Sequence, residues 1–151
     1  MAEKPAPASR ELARNRRAWH EFEIEEKVEA GIALTGTEVK SVRAGQISLD
    51  EAWVRVRADG LWLEKARIAE YVKAGPRNHD PVRPRQLLFH KRERTRLLAR
   101  TRTEGLQLVP LVVRTQGRWI KLEIGLGRSK KHHDKRQAIK SREVQRDLRR
   151  A

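Results

Sequence analysis

Among 151 residues, 35 Lys and Arg stand against 20 Asp and Glu, a net charge of +15, and cysteine is absent. One domain of this size can bury a core and carry a tail; the charge favours a polyanion, nucleic acid before acidic membrane, and disulfide and thiol chemistry are excluded. No apolar run approaches the ~18 residues of a membrane span and no apolar signal-like stretch opens the chain, so the expected setting is cytoplasmic.

Residues 1–9 are rich in Ala and Pro and lack periodicity, which predicts a disordered arm. His20, Phe22 and Ile24 then alternate with Glu21, Glu23 and Glu25, predicting a half-buried antiparallel strand. On such a strand His20 reads as a core histidine bonded to a carbonyl. Glu29-Ala-Gly31 reads as a tight turn into a second strand carrying Ile32 and Leu34. The period then changes. Thr35 and Glu38 have the spacing of a capping box, Val39 and Val42 share one face of a short helix, and Gly45 suits its left-handed end. Lys40 and Arg43 point away from that face. A short helix presenting two cations beside a barrel-like sheet makes an edge suited to RNA.

Ala52, Val54 and Val56 alternate with Trp53, Arg55 and Arg57 before Asp59-Gly60, a strong hairpin signal. Leu61 and Leu63 return, with Trp53 and Trp62 expected to pack across the hairpin. A polar loop follows to Arg85, in which His79-Asp80-Pro81 is turn chemistry rather than a metal site. Pro84 suits a first helical turn, and residues 85–104 read as the longest helix, stopped by Gly105. Leu87, Leu98 and Arg94 would share its face, with the Arg94 stem lying over apolar surface. A second hairpin joins residues 106–113 to 118–126 around Gln116-Gly117. Its return strand sets Ile120, Leu122, Ile124 and Leu126 inward, and Trp119, Lys121 and Glu123 outward. Pro110, lacking an amide hydrogen, belongs at an edge or a bulge. Residues 128–151 hold ten Lys and Arg against three acids and too few apolar residues to fold alone.

The pattern predicts a mainly β fold with helices: a small antiparallel OB-like β-barrel over residues 10–127 flanked by short helices, then a basic C-terminal tail, 128–151, helical when bound. No catalytic constellation, metal site or cofactor motif accompanies it, so the function expected is binding rather than catalysis. General single-stranded RNA binding is an alternative, although aromatic residues make up only 5% of the chain. A histidine-based ribonuclease using His20 with His90 or His133 is another, and no cleavage is expected.

Glu29-Ala-Gly-Ile-Ala-Leu-Thr-Gly-Thr-Glu-Val-Lys-Ser-Val-Arg-Ala-Gly45 resembles the signature of SmpB, the SsrA-binding (tmRNA-binding) protein family. Asn15-Arg16-x-Ala18-x-His20, His79-Asp-Pro-x-Arg83, Arg85-x-Leu-Leu-x-x-Lys-Arg-Glu93 and Lys130-Lys-His-His-Asp-Lys-Arg136 extend the likeness. Arg94 stands where Ile or Leu is usual, and Ser129 where Gly is usual. The resemblance implies a barrel that grips the tRNA-like part of tmRNA through Asn15, His20, Glu29, Lys40, Arg43, Leu88 and Lys121. It implies a tail (Lys130, Lys131, His133, Asp134, Lys135, Arg136) that senses the decoding centre and the empty mRNA channel of a stalled ribosome. The implied partners are tmRNA, small-subunit rRNA and, indirectly, elongation factor Tu carrying aminoacyl-tmRNA, with the protein acting as a monomer away from membranes.

Overall fold

The computed structural model describes residues 9–130. A seven-stranded antiparallel sheet runs in the order β1 (Ser9–Arg14), β8 (Gln107–Gln116), β9 (Trp119–Ser129), β2 (Phe22–Ile32), β7 (Arg85–Leu88), β5 (Gly60–Glu64), β4 (Trp53–Arg57). A small ribbon pairs β3 (Ile47–Ser48) with β6 (Arg67–Ile68). Three α-helices lie between strands: α1 (Arg16–Glu21), α2 (Gly36–Arg43) and α3 (Lys91–Glu104). The expected mainly β, OB-like architecture with short helices is present. The sheet curls until β4 faces β8 across a cleft, but no hydrogen-bonded ladder joins its two end strands among the described residues.

Period-two burial builds the core. On β9, Leu122, Ile124 and Leu126 point inward against Val28 and Ala30 of β2, Leu61 and Leu63 of β5, and Leu87 of β7. Both predicted hairpins form, with two-residue turns at Ala58-Asp59 and Gly117-Arg118. The irregularity expected at Pro110 is a bulge, a register shift between Pro110 and Val112.

Several expectations are corrected. Ser9 belongs to a strand rather than to the disordered arm; residues 1–8 lie outside the described residues. His20 and Glu21 sit on α1, and the strand begins only at Phe22. Asn15 caps that helix, its Oδ1 accepting from the Ala18 amide at 3.4 Å, and Ala18 buries against Val109, Leu111 and Val112. That packing overrides the alternation, and His20 is exposed rather than a core histidine. Glu29-Ala-Gly31 makes no turn, because β2 runs through it unbroken. Residues 85–88 form a strand, with Leu87 buried and Leu88 exposed; the helix starts after His90 and buries Leu97. Pro84 therefore precedes a strand instead of opening a helix. Arg94 is half-buried on the shortened helix. Trp62 is paired with Arg55, and Trp53 with Glu64, so the two tryptophans do not face each other directly. Trp53 is exposed, against the expectation that it packs across the hairpin, and Trp119 is exposed as its outward position predicts.

Candidate nucleic-acid interface

The centre of the site is a residue without a side chain. Gly31, near the end of β2, is opposite Lys121 of β9 on one flank and Leu88 of β7 on the other. A Cβ at Gly31 would stand 3.3 Å from the Leu88 Cβ, so Leu88 folds over the glycine. Leu88 is still 53% exposed because the alternation of β7 gives the inward position to Leu87. Two residues before Gly31, on the same outward face, stands Glu29, paired across the ladder with Glu123. Glu123 is held by Arg114 at 3.0 Å and Lys27 at 3.7 Å. Glu29 has no ion-pair partner among the described residues, so its carboxylate is left to accept from outside. Val39 of α2, Arg118 and Trp119 complete a groove around this row. Trp119 is 65% exposed on it.

Helix α2 borders the groove and is firmly set. Thr35 and Glu38 form both halves of the predicted capping box. Glu38 then does more than cap: it is fully buried, receiving Nε of Arg85 at 2.5 Å and the guanidinium of Arg83. Arg85 is also fully buried and donates to the Ala66 carbonyl at 2.7 Å. Burial pushes the Glu38 carboxyl up, but hydrogen bonds from Arg83, the Thr35 amide and Arg85 outweigh it and hold the group at about 2. Burial pulls the Arg85 guanidinium down, and Glu38 opposes that. The pair ties α2 to the start of β7, the strand that ends in Leu88. His79, read as turn chemistry, is buried beside it, its Nδ1 against Thr37 Oγ1 at 2.9 Å and its Nε2 on the Ile68 carbonyl at 3.0 Å. Both ring nitrogens are thus engaged.

The two cations of α2 point outward as expected. Lys40 lies over the Tyr71 ring at 5.3 Å. Arg43 donates to the Arg118 carbonyl at 2.6 Å, and Arg10 donates to the Arg43 carbonyl at 2.8 Å. Three guanidinium-bearing residues, Arg10, Arg43 and Arg118, are so gathered at the β8–β9 turn beside Trp119.

The structure brings Glu29, Leu88 and Lys121 into one groove, with Arg43 anchored at its hairpin end. It does not bring Asn15 and His20 there: they lie at the other end of β2, about 20 Å along the strand from Glu29. Asn15 is 6% exposed, and its Nδ2 donates to the Pro110 carbonyl at 3.0 Å, a group freed by the bulge. Its side chain therefore fixes α1, while Arg16 and His20 are the members of the motif that face outward. Lys130 donates to the Trp19 carbonyl at 3.3 Å; Lys131, His133, Asp134, Lys135 and Arg136 lie outside the described residues. Sequence reasoning passed over Trp119 and Arg118 as interface residues, although the alternation of the return strand had set Trp119 outward. The burial of Glu38 and Arg85, and the reach of the half-buried Arg83 to Glu38, had no signal beyond the capping spacing. Among the described residues no group of three metal-ligating side chains forms.

Comparison with known proteins agrees on one family. A family model described as "SmpB protein" matches residues 12–151. A curated SsrA-binding protein of Carboxydothermus hydrogenoformans is 46% identical over 140 residues, covering 93% of this chain and 94% of the relative. One from a Roseiflexus species is 49% identical over 143 residues, covering 94% and 90%. One from Oleidesulfovibrio alaskensis is 46% identical over 150 residues, covering 99% and 97%. A chain in a solved structure described as "tmRNA-SmpB: a journey to the center of the bacterial ribosome" is 47% identical with a TM-score of 0.63, over 78% of this chain and 82% of that one.

Proposed function

The chain belongs to the SmpB family, and from that premise we propose that it binds the tRNA-like domain of tmRNA and brings it to stalled ribosomes for trans-translation. The observation that carries this reading is the row of Glu29, Gly31, Leu88 and Lys121, bounded by Arg43 and Trp119. Lys121, Arg43 and Lys40 meet phosphates; Leu88 and Trp119 offer apolar surface to unstacked bases; Glu29 accepts from base amino groups or ribose hydroxyls, which cations cannot do. Asn15 serves by fixing α1, from which His20 reaches the RNA. The sheet runs on to Ser129, two residues past the expected boundary of 127, so the tail is the segment beyond it, with Lys130, Lys131, His133, Asp134, Lys135 and Arg136; it enters the decoding centre and the empty mRNA channel, and cannot share that channel with intact mRNA. The body, from Ser9 to Ser129, stands in for an anticodon arm. The protein acts as a monomer in the cytoplasm, by binding, and leaves GTP hydrolysis and aminoacylation to partners such as elongation factor Tu.

The exposed Trp119 also fits a general single-stranded RNA binder that stacks bases. A gel shift against tmRNA and bulk tRNA at ~0.2 M salt separates the two, because salt suppresses counterion-driven binding. Strong preference for tmRNA, relaxed by Glu29→Ala, is expected. Equal weak binding to both would overturn the proposal in favour of the general binder.

A further inference from the structure

The loop between β6 and β7 closes on itself before it reaches the sheet. The Asn78 side chain spans it: Oδ1 accepts from the Tyr71 amide at 2.9 Å, and Nδ2 donates to the Tyr71 carbonyl at 2.7 Å. Buried His79 bolts the next position to Thr37 of α2 and to Ile68 of β6. Between these ends Val72–Arg77 forms tight 3-10 turns that break at Gly75, where φ is +61°. A loop so clasped has little conformational freedom to lose when something binds it. It displays one apolar and two cationic side chains. Val72 is 92% exposed, Lys73 and Arg77 are exposed, and neither cation has an ion pair among the described residues. Of the flanking acids, Asp80 is turned onto the Val82 amide at 3.0 Å, which leaves Glu70 against three cations, Lys40, Lys73 and Arg77.

The loop also continues the groove of Glu29, Leu88 and Lys121. Val39 of α2 lines that groove, and Lys40, the next residue, turns about 100° round the helix to lie over the Tyr71 ring. Since a helix is about 10–12 Å across, the loop stands one helix width beyond the groove. We propose that the clasped loop is a second landing surface for the RNA held in the groove. RNA crossing α2 meets Lys40 and then the loop, where Lys73 and Arg77 neutralise phosphates and Val72 lies on an unpaired base or its ribose. Because the clasp fixes the spacing of these three side chains, the loop reads the shape of a folded RNA rather than its sequence. The inference rests on the groove being an RNA site.

The test titrates the full chain with tmRNA and with bulk tRNA at several salt concentrations. Lys73→Ala with Arg77→Ala should weaken tmRNA binding roughly ten- to twentyfold at ~0.2 M salt and flatten the dependence of log K on log salt by about 1.4–1.8, the values for two phosphates. Val72→Ser should weaken it about three- to tenfold at an unchanged slope. All three side chains are exposed, so the thermal midpoint should stay that of the parent. The chain has no cysteine, so Val72→Cys carrying a benzophenone reports the contact directly, and a crosslink to tmRNA is expected. Unchanged affinity and slope in the variants, with tmRNA still preferred by the parent, would overturn this inference and leave the reading of the groove standing. A parent without preference for tmRNA would overturn that reading instead, and weaker binding of the variants to both RNAs would then keep the loop as an RNA contact. Crosslinks only to ribosomal protein when ribosomes are added, with RNA binding intact in the variants, would make a protein the occupant and overturn the inference too.

Discussion

Glu38 shows how much one residue can carry beyond its local role. Its capping function is visible in the sequence as S/T-x-x-E, but its burial between Arg83 and Arg85 depends on a strand some 45 positions away. Nothing local distinguishes Arg85 from the other arginines of a basic chain, so its complete burial was not legible. Breaking such a pair strands a buried charge, and Glu38→Gln is expected to cost about 3–5 kcal/mol at neutral pH. Urea unfolding measures this. Its pH dependence has a defined sign. The folded carboxyl titrates at about 2, below the ordinary 4.5, so its contribution is fully present above the ordinary value and is lost as pH falls toward 2. The stability gap between parent and variant should therefore narrow across that interval. A gap that stays constant from neutral pH down to 2 would deny Glu38 an ionised role.

At the scale of elements, β2 and β9 form the spine, and glycine fixes how close they come. A Cβ at Gly127 would lie 2.5 Å from the Glu23 carbonyl oxygen, beside the register shift between Ile24 and Glu26. Gly127→Ala is expected to destabilise by roughly 1–3 kcal/mol through forced separation of the strands. Amide exchange should speed up between Phe22 and Glu26 more than at the β4–β5 hairpin, and an evenly spread effect would contradict this origin. Elements with one strong period were legible: the capped α2, both hairpins and the return strand of the second. Two junctions were not. At residues 15–24 acidic and apolar residues alternate by accident, and the decisive contacts of Asn15 and Ala18 come from the distant bulge in β8. At residues 84–90 the run into α3 hides a four-residue strand whose only mark is Leu87 inward and Leu88 outward. Of the groove, Glu29, Leu88 and Lys121 were reached by resemblance, while their convergence on Gly31 required the sheet order.

For the whole molecule, charge is the main long-range property. Replacing Lys40, Arg43 and Lys121 together with Ala should weaken RNA binding across sequences. It should also flatten the dependence of log K on log salt by about 0.7–0.9 for each phosphate no longer neutralised. Titrations at several salt concentrations measure that slope, and an unchanged slope would place the phosphate-binding cations elsewhere. A sheet that stops short of closure also has two outer strands, β1 and β4, each with one side free of a ladder among the described residues. Free edges of this kind recruit strands from neighbouring chains and seed fibres. Here β1 is six residues long, bulged after Glu11 and studded with Arg10 and Arg14, and β4 is five residues long with Arg55 and Arg57 exposed. Copies approaching edge to edge meet guanidinium against guanidinium. Arginines such as Arg55 and Arg57, outside the groove of Glu29, Leu88 and Lys121, are therefore expected to oppose edge-to-edge pairing of copies.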